Sequence, residues 1–481
     1  MRLPHLASLP ALFVTSAAAS FAQTQVPQPN IVFIMADDLG YGELGCYGQH
    51  IVQTPNVDRL AAEGMKFTQF YAGCAVCAPS RSVLMTGKHM GHTTVRGNAG
   101  AANPAAQPLR TGDVTFARVL HDAGYTTGLV GKWGLGLSGE EGEPYRQGFD
   151  YFYGYLSQTQ AHNHYPDFLY RDRERITLPN EVTHVGPTGA GYATKRVQYA
   201  DDLIFDEGRA FIERNKARPF FLELSLITPH ANDEAAKALG DGQEVPDYGP
   251  YADKAWPNPL KGQAAMITRM DAAIGELMAQ LKQLKLDDRT LVIFTSDNGP
   301  HNEGGTGFNP DFFRASGPLR GIKRDLTEGG IREPFIARWP GRIKAGAVSG
   351  HVGYFGDMMA TFADLAGAKP PEHLDSVSIV PTLLGRGPQA KHDYLYWEFY
   401  EGGVSQAVLL DGHWKGLRAK KVTAAIELFD LDHDLGETTD VAAKNPAVVA
   451  RIADLMRTAH VDNEHWKIPG VATAAAPAGA H

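Results

Sequence analysis

Cysteine is nearly missing: Cys46, Cys74 and Cys77 are the three in 481 residues. A fold stapled by many disulfides is therefore excluded. At most one bond could form, and the sequence leaves open whether Cys46 and Cys74 pair, which would set Cys77 apart as the odd thiol. There is no basic tract, and the formal net charge is -9, so nucleic acid is excluded as a partner. Long apolar runs are missing too. The longest near the start, Leu6 to Val14, is too short to span a bilayer, and no later stretch is long enough, so no membrane span is expected. No internal repeat is present. Arg2 and His5 before that run, and Ala17-Ala18-Ala19-Ser20-Phe21-Ala22 after it, read as a signal peptide over 1–22 with cleavage after Ala22. The expectation is an exported chain, periplasmic or secreted.

With 52 glycines and 30 prolines the chain has many turns, as a loop-built site needs. One stretch stands out: Cys77-Ala78-Pro79-Ser80-Arg81-Ser82-Val83-Leu84-Met85-Thr86-Gly87. Pro79 suits a first helical turn and Gly87 the position after a helix end, so the spacing predicts a short helix with Cys77 at its mouth. Such a mouth aims N–H groups at an anion, and Arg81 adds a cation one turn in. A buried or bonded cysteine before an ordinary helix would be the plain alternative. Six positions of C-x-P-S-R-x-x-x-x-T-G are met, and the segment resembles the signature of the type I sulfatases, of the alkaline-phosphatase-like superfamily. The resemblance implies that Cys77 is oxidised to formylglycine, the nucleophile, by a formylglycine-generating or equivalent maturation enzyme.

Four apolar runs read as strands buried on both faces, and each ends in polar residues. Asn30 to Met35 runs into Asp37-Asp38, and Thr126 to Val130 into Lys132. Pro219 to Leu226 leads to His230, and Leu291 to Thr295 to Asp297-Asn298. In open α/β sheets the site lies at the carboxyl ends of the strands, so these ends are expected to meet. Adjacent carboxylates after a buried strand repel unless a cation lies between them. The set Asp37, Asp38, Asp297 and Asn298, with residue 77, offers oxygen donors without imidazole, which favours calcium over magnesium; both segments resemble the metal motifs of the sulfatases.

The resemblance also assigns anion-binding roles. Gly131-Lys132-Trp133-Gly134-Leu135-Gly136 is similar to the family's G-K-W-H-L-G, whose lysine contacts sulfate, but Gly134 replaces the histidine that takes a proton. His162, or second to it His164, in the aromatic, histidine-rich loop is the expected source of that imidazole. His230 matches the strand-end histidine and Lys323, in Leu319-Arg320-Gly321-Ile322-Lys323, the sulfate-binding lysine; either is a candidate acid for the leaving oxygen.

Helices are expected near Thr54–Gly64, Asp113–Gly124, Thr194–Lys216 and Gln263–Leu284, an aromatic strand over Phe67–Tyr71, and a rim loop over 231–260. After a helix near Gly356–Ala366 a boundary is expected at Gly367–Pro371. Short antiparallel strands (Tyr394–Phe399, Ser405–Leu410, Trp414–Arg418, Ala425–Asp430) and a last helix, Pro446–Thr458, follow. The expected architecture is α/β: a large, mostly parallel central sheet flanked by helices over 23–368, a smaller C-terminal α+β unit with an antiparallel sheet over 369–470, and a disordered tail over 471–481. The implied activity is hydrolysis of sulfate monoesters, with a sulfated carbohydrate favoured by the aromatic loops. Alternatives are a phosphodiesterase or phosphonate monoester hydrolase of the same superfamily, or a non-catalytic glycan-binding homologue.

Overall fold

Strands whose side chains are apolar on both faces demand cover on both sides, and that requirement builds this molecule. The computed structural model describes residues 28–98 and 108–468; the expected signal peptide and the 471–481 tail lie outside the described residues. In chain order the elements are β1 (Asn30–Asp37), α1 (Pro55–Ala62), β2 (Met65–Phe67), β3 (Phe70–Tyr71), α2 (Cys77–Thr86), α3 (Phe116–Asp122), β4 (Thr126–Lys132) and β5 (Tyr151–Tyr155). Next come β6 (Phe168–Arg171), β7 (Glu174–Thr177), β8 (Glu181–His184), β9 (Gly191–Lys195), α4 (Ala200–Asn215), β10 (Phe220–Pro229), α5 (Asp233–Leu239), α6 (Asn258–Gln283) and β11 (Thr290–Ser296). The chain continues with α7 (Glu328–Ile331), β12 (Phe335–Arg338), β13 (Ala347–Ser349), β14 (Gly353–Tyr354), α8 (Asp357–Ala366) and α9 (Val380–Leu384). It closes with β15 (Tyr394–Phe399), β16 (Ser405–Leu410), β17 (Trp414–Arg418), β18 (Glu427–Asp430) and α10 (Pro446–Thr458).

Ten strands form the main sheet in the order β13-β2-β12-β11-β1-β10-β4-β5-β6-β7. Its centre, β11-β1-β10-β4-β5, is parallel, and antiparallel partners extend it at both edges. Side chains alternate across the pleat: Ile31, Phe33 and Met35 enter one core with α3 and α8, while Val32, Ile34 and Ala36 enter the other with α4 and α6. The parallel strands therefore end on one edge. Asp37, Lys132, Pro229 and Ser296 close β1, β4, β10 and β11 there, as the strand-end reading required.

The C-terminal unit is the antiparallel sheet β15-β16-β17-β18 covered by α10. A buried ionic cluster joins it to the larger part: Lys415 Nζ on β17 lies 2.7 Å from Glu328 Oε1 at the start of α7. Glu328 Oε2 also accepts from Tyr71 and Arg332.

Several expectations need correction. The Phe67–Tyr71 stretch is two strands in different sheets, because β2 pairs with β12 and β13 while β3 pairs with β14. The Thr194–Lys216 helix starts only at Ala200, its first residues being spent on β9. The 231–260 segment contains α5, capped by Asn232, whose side chain accepts from the N–H groups of Glu234 and Ala235. Cys46, Cys74 and Cys77 are all free, so the possible Cys46–Cys74 bond is not formed. Among the described residues no helix is long and apolar enough to cross a membrane.

Candidate active site

Helix α2 is buried along its whole length and ends at Gly87, whose φ of 68° lets its N–H close on Val83 O. Ser80 fixes the helix against the sheet edge, donating to Asp297 O at 2.6 Å and accepting from Gly73 N at 3.0 Å. Cys77 is thereby held over the end of β1, its Sγ 3.3 Å from Asp37 Oδ1. Burial, and then the Asp37 charge, push the thiol well above its ordinary pKa, so the unmodified thiol is a poor nucleophile here.

Around residue 77 the strand ends supply matched charges. Arg81 directs Nε and Nη2 at Asp297 Oδ2, at 3.0 and 2.8 Å, and Nη1 at Lys132 O, at 2.9 Å. Lys132 Nζ lies 2.5 Å from Asp37 Oδ2, and Lys323 Nζ 2.8 Å from Asp38 Oδ2. Lys323 is set in place by its backbone, which donates to Pro300 O at 2.9 Å, while Arg324 N donates to Ala75 O at 2.9 Å. All these side chains are essentially out of solvent. Burial alone would raise Asp37, but Lys132 and Arg81 hold it well below the usual carboxylate range. Asp297 goes the other way, to about 7, from burial and the Asp37 charge.

His230 follows the last residue of β10. Its Nδ1–H donates to Ala231 O at 2.5 Å, which leaves Nε2 bare, and that atom accepts from Lys323 Nζ at 3.2 Å with Asp38 Oδ2 at 3.5 Å. Burial and the Lys323 charge hold its pKa well below the ordinary histidine value, so the ring is a neutral ligand. His162 stacks on it, centroids 4.8 Å apart and planes 14° from parallel. His164 is instead buried behind the site, bridging Asp201 Oδ2 and His230 O at 2.9 Å each, and so props the His230 backbone rather than facing the centre. At Gly134, with φ +75°, a Cβ would meet Gln158 Oε1 at 2.4 Å. Gln158 fills the space beside residue 134, and its buried oxygen has no hydrogen-bond partner.

The donor set suits a hard cation. Asp37, Asp38 and Asp297 are fully buried. Asn298 gives its Nδ2–H to Asp38 Oδ1 at 2.7 Å, which leaves its own Oδ1 buried without a partner. An orphaned carbonyl beside three carboxylates is what an oxygen-ligated cation satisfies. Asp37, Asp38, Cys77 and His230 each place a ligand atom within 4.8 Å of the others.

Three residues of this centre were not anticipated. Glu303 Oε2 lies 2.8 Å from Lys323 Nζ; its only sequence signal is an acid on the turn that continues from Asp297-Asn298. Ser225 Oγ donates to Lys132 O at 2.6 Å and also meets Arg81 Nη1; a serine inside the apolar β10 run is a usable signal. Glu234 Oε2, 3.2 Å from His162 Nδ1, had none.

A family model described as Sulfatase matches residues 29–368, and one described as N-sulphoglucosamine sulphohydrolase, C-terminal, matches 322–461. N-acetylgalactosamine-6-sulfatase of Canis lupus familiaris is 34% identical over 429 residues, 84% of this chain and 74% of the relative. Arylsulfatase A of Homo sapiens is 35% identical over 402 residues, 78% of this chain and 72% of the relative. The crystal structure of Ps i-CgsB in complex with k-i-k-neocarrahexaose superposes with a TM-score of 0.73 at 27% identity, covering 89% of this chain and 92% of that one.

Proposed function

The chain belongs to the sulfatase family, a sulfuric ester hydrolase by that membership, and from this premise we propose that it removes sulfate from a carbohydrate at the centre around residue 77. The observation that carries the proposal is the seating of Cys77, at a buried helix mouth, over Asp37 and among Arg81, Lys132 and Lys323. A carbohydrate is favoured because relatives include an N-acetylgalactosamine-6-sulfatase and a structure holding a neocarrahexaose.

The proposal includes conversion of Cys77 to formylglycine by a maturation enzyme, one calcium ion held by Asp37, Asp38, Asp297 and Asn298 together with residue 77, and export to the periplasm or medium. The modified residue would supply an oxygen nucleophile, and the ion would supply charge to cancel that of the ester. The chain's own groups do the rest. Four carboxylates (Asp37, Asp38, Asp297, Glu303) face the buried cations Arg81, Lys132 and Lys323, with Arg324 on the outer side of Glu303, so the charges are matched, and a divalent cation would leave positive charge in excess. Lys132 and Lys323 bind and orient the anion; the bare Nε2 of His230 accepts from Lys323 and holds it in place, and Arg81 holds Asp297 and the β4 end in place. His162 provides the imidazole that Gly134 lacks.

The test measures sulfate release from sulfated mono- and oligosaccharides beside the matching phosphate esters, with the mass of the peptide bearing residue 77. Sulfate turnover with an aldehyde at residue 77 is expected. A thiol in fully active enzyme, or a preference for phosphate esters, would overturn the proposal.

A further inference from the structure

The two stacked imidazoles are anchored by the same short segment. His230 gives its Nδ1–H to Ala231 O, and His162 Nδ1 meets Glu234 Oε2. The rings are only 14° from parallel; His230 Nε2 faces Lys323 and Asp38 at the centre, and His162 Nε2 lies on the ring edge away from Glu234. They differ in what they have to give. His230 Nε2 already accepts from Lys323 and carries no proton. His162 is the more open of the two, its side chain 13% exposed against 2% for His230, and is the ring that a substrate reaches from solvent first. A carboxylate at Nδ1 keeps the Nδ1–H there and leaves Nε2 as the edge that takes up a second proton, so the doubly protonated ring donates from Nε2. Glu234 is itself set in place: its backbone N–H caps onto Asn232 Oδ1 at 3.1 Å, and its carboxylate stays ionised because His162 outweighs the effect of burial.

Resting on the sulfatase reading, we propose that His162 is the acid for the leaving oxygen and that Glu234 is the residue that positions it. As the bond from sulfur to the leaving oxygen breaks, its electron pair passes to that oxygen, which takes the Nε2 proton of the His162 imidazolium. Sulfur's new bond is to the incoming oxygen nucleophile. The imidazole is left neutral, with Nδ1–H on Glu234, and water at its exposed edge returns the proton. His230 keeps its Nε2 for Lys323 throughout.

Leaving-group dependence tests this, since acid catalysis matters most for poor leaving groups and is worth roughly 10²–10⁴-fold. kcat/KM is measured for a series from p-nitrophenyl sulfate to p-methoxyphenyl sulfate with wild type, Glu234→Gln, His162→Gln and the double variant. The loss in each single variant should grow at least about tenfold along the series, and the double variant should be no worse than His162→Gln alone. Nitrogen-15 spectra of the imidazoles should place the His162 proton on Nδ1 in the wild type and show that preference lost in Glu234→Gln. Losses parallel across the series, or a slope that steepens only in His230→Gln, would overturn the assignment while leaving the sulfatase reading intact. Wild-type chain that releases sulfate from no ester would sink both.

Discussion

Replacing Lys415 by methionine tests whether the C-terminal unit is bound to the larger part by charge. Lys415 Nζ is fully buried, 2.7 Å from Glu328 Oε1 and 3.7 Å from Glu437 Oε1. Methionine keeps most of the volume and removes the cation. Breaking a buried pair costs about 3–5 kcal/mol, and the low end applies because Glu328 keeps Tyr71 and Arg332 as donors. We therefore expect a loss of about 3 kcal/mol, read as the shift in urea midpoint multiplied by the slope of the transition. The penalty should also depend on pH. Burial and the Glu328 charge hold Glu437 at about 7 despite Lys415, and without the lysine it rises further. A raised carboxylate keeps its proton in the folded state, so stability falls as pH climbs above the unfolded value of roughly 4.3; the loss should be smaller at pH 5 than at pH 8. Adding Glu437→Gln removes the carboxylate left without its cation and should recover at least about 1 kcal/mol. A single-variant loss below about 1 kcal/mol, or a double variant that loses the sum of both singles, would refute the reasoning.

Arg81→Met strands Asp297 and frees the β4 end at Lys132 O; sulfate release should fall by roughly 10² or more, with kcat lost along with kcat/KM. Glu398, fully buried, is held at about 2, Arg96 and His460 outweighing burial. Its stabilisation, about 3 kcal/mol, is present above the unfolded value and lost as pH falls toward 2. Arg96→Met should flatten that acid-side decline in a stability profile, and an unchanged slope would exclude the pair as its source. Gly134→His should not raise activity, because φ +75° costs a non-glycine residue roughly 1–2 kcal/mol; a stable variant with higher sulfate release would show that the backbone there adapts.

Much of the centre was legible because its chemistry is written in short, contiguous spacings. Asp37-Asp38, Lys132 and Asp297-Asn298 each sit at the end of an apolar run, and parallel pairing carries such ends to one edge whatever lies between. The same logic failed where an element's partner was remote. Phe67–Tyr71 looks like one strand, yet two residues between β2 and β3 turn the chain into a second sheet, a choice made by β12 and β14 far along the chain.

The amino-acid order by itself determined the family, the helix that begins at Cys77, the oxygen-rich donor set and the absence of an imidazole at Gly134. Those depend on residue type and local periodicity, which act within a few residues. Tertiary structure alone decided that His162 stacks on the His230 ring while His164 props its backbone, that Glu234 backs His162 across 72 residues, that Gln158 occupies the space beside Gly134, and that Lys415 ties the C-terminal sheet to α7. Each of these is a contact between segments whose separation along the chain carries no information about distance, and only strand register and the packing of two cores bring them within a hydrogen bond of one another.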